Sequence, residues 1–193
     1  MSNTQAPNGF SYMRRLDGAE PNDATNLYPI LYTYNSNIGS GDPVILTGGY
    51  VQKWSSGAVT GIFRGCTYVD SINGQQYSKA WLQPSTAVSG SVYAIVNDDP
   101  MAVFQVQVGG STTSGVVATQ VGLNASPAGV GSPNSSTGIS VAYLDYTTVS
   151  TTSTLPFRIV GLGTSPTNDA TAAYDWVQVV MNSQAYKVGV TGA

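Results

Sequence analysis

The chain has 193 residues, of which only 9% are charged, with a formal net charge of −3, one cysteine and no histidine. An ordinary globular protein carries about 25% charged residues. The composition excludes Ser-His-Asp and Cys-His catalysis, an internal disulfide, metal centres built on His or Cys clusters, and the massed Lys and Arg of a nucleic-acid footprint. No run approaches the ~20 apolar residues of a membrane-spanning helix. The opening stretch "MSNTQAPNGFSYMRRLDG" has no apolar core of a secretory signal, so a soluble product made in a cytoplasm is expected.

Ser, Thr, Asn and Gly occupy the places usually held by helix-forming Glu, Lys and Ala, and Glu20 is the single glutamate. These residues favour caps, turns and strands over helix interiors. An all-β fold is therefore expected: a sandwich, jelly roll or barrel-like domain.

Residues 1–38 carry three prolines, several Asn and Asp, and tyrosines without sustained alternation. They are expected to form an extended N-terminal arm, with the β domain over 39–193. The arm's aromatic residues, Phe10, Tyr12, Tyr28, Tyr32 and Tyr34, need a surface to bury against, on the protein's own body or on a partner. Arg14 and Arg15 are the one adjacent basic pair. They fit either a solvated pair or a bidentate contact with a partner's acidic patch.

From Gly41 onward the pattern is β. "GDPVILTGG" predicts a short strand. "GIFRGCTYVDSINGQQYSKAWLQP" predicts a hairpin, with Asn73-Gly74 as a type I′ turn. In its outgoing strand Tyr77, Lys79 and Trp81 are expected on one face, and Ala80 and Leu82 on the other. "SVYAIV" and "MAVFQVQV" follow; in the latter Ala102, Phe104, Val106 and Val108 alternate with Gln105 and Gln107. "VVATQVGL", "GISVAYLDY", "FRIVGLG" and "YDWVQVVMN" complete the predicted strands.

Asp98 and Asp99, in "NDDP", are the best candidates for a catalytic acid pair. Neighbouring strand residues point to opposite faces, and Asn, Asp and Pro in succession are turn residues, so the pair is assigned to a turn. Cys66 is expected to be a small buried hydrophobe. Asn168, Asp169 and Asp175 supply oxygens without the spacing of a calcium loop and are expected to be solvated loop residues. Trp54, Trp81 and Trp176 would have to converge to make a sugar-binding face. The Asn134 sequon would not be used on a cytoplasmic product. No cofactor, metal site or enzymatic activity is expected.

The ordered series "YMRRLDGA", "SGDPVIL", "GIFRGCTYVDSINGQQYSKAWLQP", "VNDDPMAVFQVQV", "VGLNA" and "VVMNSQAYKV" resembles the capsid decoration, or cement, proteins of tailed double-stranded DNA phages. The likeness runs from about Phe10 to Val188. Ala185 stands where a histidine would be expected. The resemblance implies a β-rich virion protein, trimeric, made in the host cytoplasm. It would sit on the outside of the expanded capsid and hold neighbouring subunits of the major capsid protein together. Phe10, Tyr12, Arg14 and Arg15 would then be the coat-binding residues. A β module displayed on the virion to bind host glycan is the alternative.

Overall fold

The computed structural model describes residues 3–82, 88–165, 168–170 and 172–186. The ends of "SKAWLQP" and "NSQAYKV" and part of "SPTNDATAA" lie outside the described residues. Within them the fold is β throughout, with two short 3₁₀ turns at Ala118–Gln120 and Tyr146–Thr148.

The strands are β1 (Ser11–Arg15), β2 (Asn26–Ile30), β3 (Ile38–Gly39), β4 (Pro43–Thr47), β5 (Tyr50–Lys53), β6 (Gly61–Asp70), β7 (Gly74–Ser78), β8 (Ala80–Trp81), β9 (Val88–Asn97) and β10 (Ala102–Gly109). They continue with β11 (Asn124–Ala125), β12 (Pro127–Ala128), β13 (Tyr143–Asp145), β14 (Phe157–Leu162) and β15 (Trp176–Met181).

Two large sheets and a small β3–β8 ribbon divide these strands. The first runs β2-β9-β6-β4-β5 and bends until β5 lies against β2, a nearly closed barrel. Strand β6 is long enough to take β4 and then β7 along one edge, with β9 on the other. The inward residues Ile30, Val44, Val51, Phe63, Cys66, Val92, Ala94 and Val96 fill the interior. Ile38 and Trp81, from the small β3–β8 ribbon, join that core. The second sheet runs β11-β14-β15-β10-β13-β12, antiparallel except for β10–β13. Its core contains Phe10, Phe104, Val106, Val108, Leu144, Phe157, Ile159, Val177, Val179 and Met181.

The segment expected to be an arm is woven into both sheets. Strand β1 pairs with β10, and β2 pairs with β9 along five residues. Phe10 is fully buried and stacks on Phe157 with ring centroids 4.4 Å apart. Of the five aromatic residues there, only Tyr32 is exposed. The period-two signal is weak because β1 contains a bulge between Tyr12 and Arg14, and Pro29 interrupts β2. Proline is tolerated there because β2 has a ladder partner on one edge only.

Other expectations change in detail. The β6–β7 hairpin forms, but its loop is Ser71-Ile72-Asn73, closed by Gly74 at φ +75°. Asn73 does not adopt the positive φ of a type I′ turn. Instead the Asp70 carboxylate accepts from the Ile72 and Asn73 N–H groups, a local turn that holds its own pKa below the usual range. Trp81 does not share an exposed face with Tyr77, because the strand breaks at Lys79 and the chain crosses to β3. "VVATQVGL" is an irregular segment that buries Val116 and leaves Val117 and Val121 outside.

Candidate interaction surface

Strand register decides which side chains face outward. In the barrel, Pro29 pairs with Tyr93, Tyr93 with Thr67, and Thr67 with Tyr77. Partners across a ladder share a face, so these four residues form one row over β2, β9, β6 and β7. The neighbouring row, through Tyr28, Ala94 and Cys66, points inward. Tyr93 is 42% exposed and Tyr77 58%, with Leu27 and Val69 also outside. The row contains no charge.

On its face away from the core the large sheet has a different row, in which Val103 and Val180 are buried. Arg14 pairs with Val103, Val103 with Val180, and Val180 with Arg158. The β1 bulge matters here. Tyr12 opposes Phe104 and meets it edge-on on the core side, and the extra residue Met13 turns Arg14 to the opposite face. Arg14 donates to Gln178 Oε1 (3.1 Å), and Arg158 donates to Asn124 Oδ1 (3.0 Å).

Arg15 points elsewhere. It forms ion pairs with Asp99 and, at 2.8 Å, with Asp17. Those carboxylates hold its pKa above the ordinary value. The sequence-predicted contact set is therefore split. Phe10 belongs to the core and cannot meet a partner without opening it. Tyr12 is half-buried, with its hydroxyl unpaired among the described residues. Arg15 is engaged within the chain, and Arg14 is exposed.

Asp98 and Asp99 lie in the turn between β9 and β10 and face different partners. Asp98 accepts from Asn26 Nδ2 (2.9 Å) and from the Tyr28 hydroxyl, fastening β2. Asp99 accepts from Arg15 and from Met101 N (2.9 Å), fastening β1 and closing the turn. Turn chemistry is also what anchors the N-terminal strands.

The remaining candidates do not converge. Trp81 is buried in the barrel and donates to Tyr34 O, so no three-tryptophan face exists. Asp175 is fully buried rather than solvated, and its oxygens accept from Val116 N. Burial raises its pKa to about 7. Asp42 is also buried, between the barrel and the 129–142 loop. It accepts from Gly39 N, Gly131 N and Ser140 Oγ, and burial lifts its pKa to about 6. Cys66 is buried as expected, its thiol pushed up to about 12. No three-residue His, Cys, Asp or Glu metal group occurs among the described residues.

Tyr93, Tyr77 and Arg158 were not among the sequence-predicted contacts. Alternation in "SVYAIV" marks Tyr93 as opposite to Val92 and Ala94, but its row-mates come from strand pairing that one sequence does not reveal. Comparisons with protein-family models, curated proteins and solved structures find no match to this chain.

Proposed function

We propose that the protein is a structural virion protein of a tailed double-stranded DNA phage, which binds the outside of the expanded capsid as a trimer and holds neighbouring coat subunits together. The observation that carries this reading is the uncharged Pro29–Tyr93–Thr67–Tyr77 row. Contiguous exposed apolar surface marks interaction sites, and tyrosine is among the residues enriched where partners meet. The motif series resembling decoration proteins supplies the kind of partner. The mechanism is interface burial. A clamp that binds only the expanded lattice stabilises it by mass action, and a standard interface of ~1,600 Å² suffices.

Co-sedimentation with expanded and unexpanded capsid shells tests this. Saturable binding at a fixed ratio to coat protein, selective for expanded shells and weakened by Tyr93→Ser, is expected. Absence of binding to either shell would sink the proposal.

A second reading has its own observation. Tyr32, Tyr50 and Tyr93 line a groove of about 280 Å³ beside Ser91, where aromatic faces and a hydroxyl suit a sugar ring. On this reading the module displays a glycan-binding groove on the virion. A glycan array with the purified protein decides it: selective signals lost in Tyr32→Ala favour this function, and a blank array removes it.

A further inference from the structure

Where the barrel meets the N-terminal segment, a cleft of about 300 Å³ opens between Asn8 and Ser11 on one side and Arg64, Tyr77 and Lys79 on the other, with Ile139 at its rim. That volume sits at the lower end of ligand pockets and suits a side chain or a small ion. No acidic residue lines it.

The walls are fixed by close approaches. A Cβ on Gly65 would come within 2.8 Å of the Tyr77 hydroxyl, so the tyrosine ring lies directly on the glycine backbone. A Cβ on Gly138 would come within 3.0 Å of Lys79 Cβ, so the lysine stem rests on the 138 backbone. The Tyr77 and Ser40 hydroxyls both donate to Arg64 O, and Ser40 N donates to Gly138 O, tying the pieces together.

Charge selects the ligand. Lys79 has no hydrogen bond or ion pair among the described residues. Arg64 gives one nitrogen to Asp23 Oδ2 (2.8 Å) and keeps the rest of its fork. Arg64, Lys79 and Asp23 together carry one net positive charge, which a monoanion balances and a phosphate dianion exceeds. The Ser11 hydroxyl and Asn8 amide add neutral donors, while Ile139 offers apolar surface for a methylene stem.

We propose that this cleft is a carboxylate-binding site that takes an aspartate or glutamate side chain presented by a partner chain. It moves acidic-patch recognition away from the Arg14–Arg15 pair, whose Arg15 is already neutralised by Asp17 and Asp99. If the capsid proposal holds, the side chain belongs to a coat subunit, yet the chemistry stands without it.

The test is titration of the ¹⁵N-labelled full chain with doubly capped glutamate (N-acetyl, N-methylamide), and in parallel with acetate and inorganic phosphate, followed by amide chemical shifts. Saturable shifts confined to the cleft are expected for capped glutamate below ~50 mM, weakened at least about tenfold in Lys79→Gln and restored in Lys79→Arg. Lys79 is exposed, so both variants should keep the wild-type melting temperature. Absence of saturable shifts, or shifts unchanged in Lys79→Gln, would overturn the site. Tighter binding of phosphate would overturn the carboxylate assignment, and equal binding of acetate would overturn a chain-borne ligand in favour of a free one. The titration needs no capsid, so its failure leaves capsid binding untouched, and failed capsid binding leaves the cleft untouched.

Discussion

The barrel sets Pro29, Tyr93, Thr67 and Tyr77 in a row across its outer face, whereas on the large sheet's face away from its core Val103 and Val180 are buried between the exposed Arg14 and Arg158. Both rows arise from the same ladder geometry, and both back onto cores built from Val, Ile and Phe. Their outer chemistries differ. The barrel's row is neutral and aromatic, able to bury area without desolvating charge. The large sheet's row ends in two arginines rooted on strands three spacings apart, roughly 14 Å between backbones. Aromatic area supplies affinity, while arginines at fixed separation supply orientation and salt-sensitive attraction. One chain thus offers two unlike surfaces.

The largest effects should come from the cores behind these faces. Phe10→Ala removes the ring stacked on Phe157, and Trp81→Ala empties the barrel's largest side chain. Each should cost about 3–5 kcal/mol in denaturant unfolding. A Phe10→Ala cost below ~1 kcal/mol would return Phe10 to the contact surface and undo its assignment to the large sheet.

Next comes pH. Asp42 and Asp175 have folded pKa values of about 6 and about 7, above their ordinary 3.8. The native state therefore binds more protons than the unfolded chain between those limits, and stability falls as pH rises through them. Asp17 and Asp70 are shifted the other way, so their contribution is lost only in more acidic solution. The melting temperature should be higher at pH 5 than at pH 8. For Asp175 the full difference has an upper bound of about 4 kcal/mol. Asp175→Asn should flatten the profile between pH 6 and 8; an unchanged slope would show that Asp175 is not the group titrating there.

A smaller effect separates Arg15 from Arg14. Arg15 joins two carboxylates at the β9–β10 turn, and its pair with Asp99 is largely shielded from solvent. Arg15→Ala should lower the melting temperature, and adding Asp99→Asn should lower it little further, because both remove the Arg15–Asp99 pair. Fully additive losses in the double variant would mean that the two act separately.

These differences also explain what could be read in advance. Strands β6, β9, β10, β14 and β15 follow from alternation and flanking turn residues, and Cys66 from its place among them. The turn at Asp98–Asp99 follows from Asn, Asp and Pro in succession. Strands β1 and β2 do not, because Met13 adds a residue to one and Pro29 interrupts the other. The reversal of Trp81 follows from a break at Lys79 that no period announces. The burial of Asp42 and Asp175 has no local signal, since their donors come from residues 59 or more positions away, Gly39 excepted. The outer rows depend on register among strands far apart in sequence, and the cleft at Lys79 on a meeting of three such segments.

The finest distinction lies between the two outer faces themselves. Tyr93→Ala and Arg14→Ala both alter side chains outside the cores, so each should leave unfolding free energy within about 0.5 kcal/mol of wild type. On the capsid-binding proposal, their effects on association with expanded shells should differ in kind. Losing Tyr93 removes buried area and should weaken binding about tenfold at any ionic strength, chiefly through faster dissociation. Losing Arg14 should weaken binding only several-fold at low salt, and the deficit should shrink as salt screens the remaining attraction. Sedimentation with expanded shells at ~0.05 and ~0.5 M salt separates the two patterns. If Arg14→Ala proved insensitive to salt while Tyr93→Ala did not, the barrel would not be the face that supplies affinity, and the assignment of roles to the two sheets would have to be reversed.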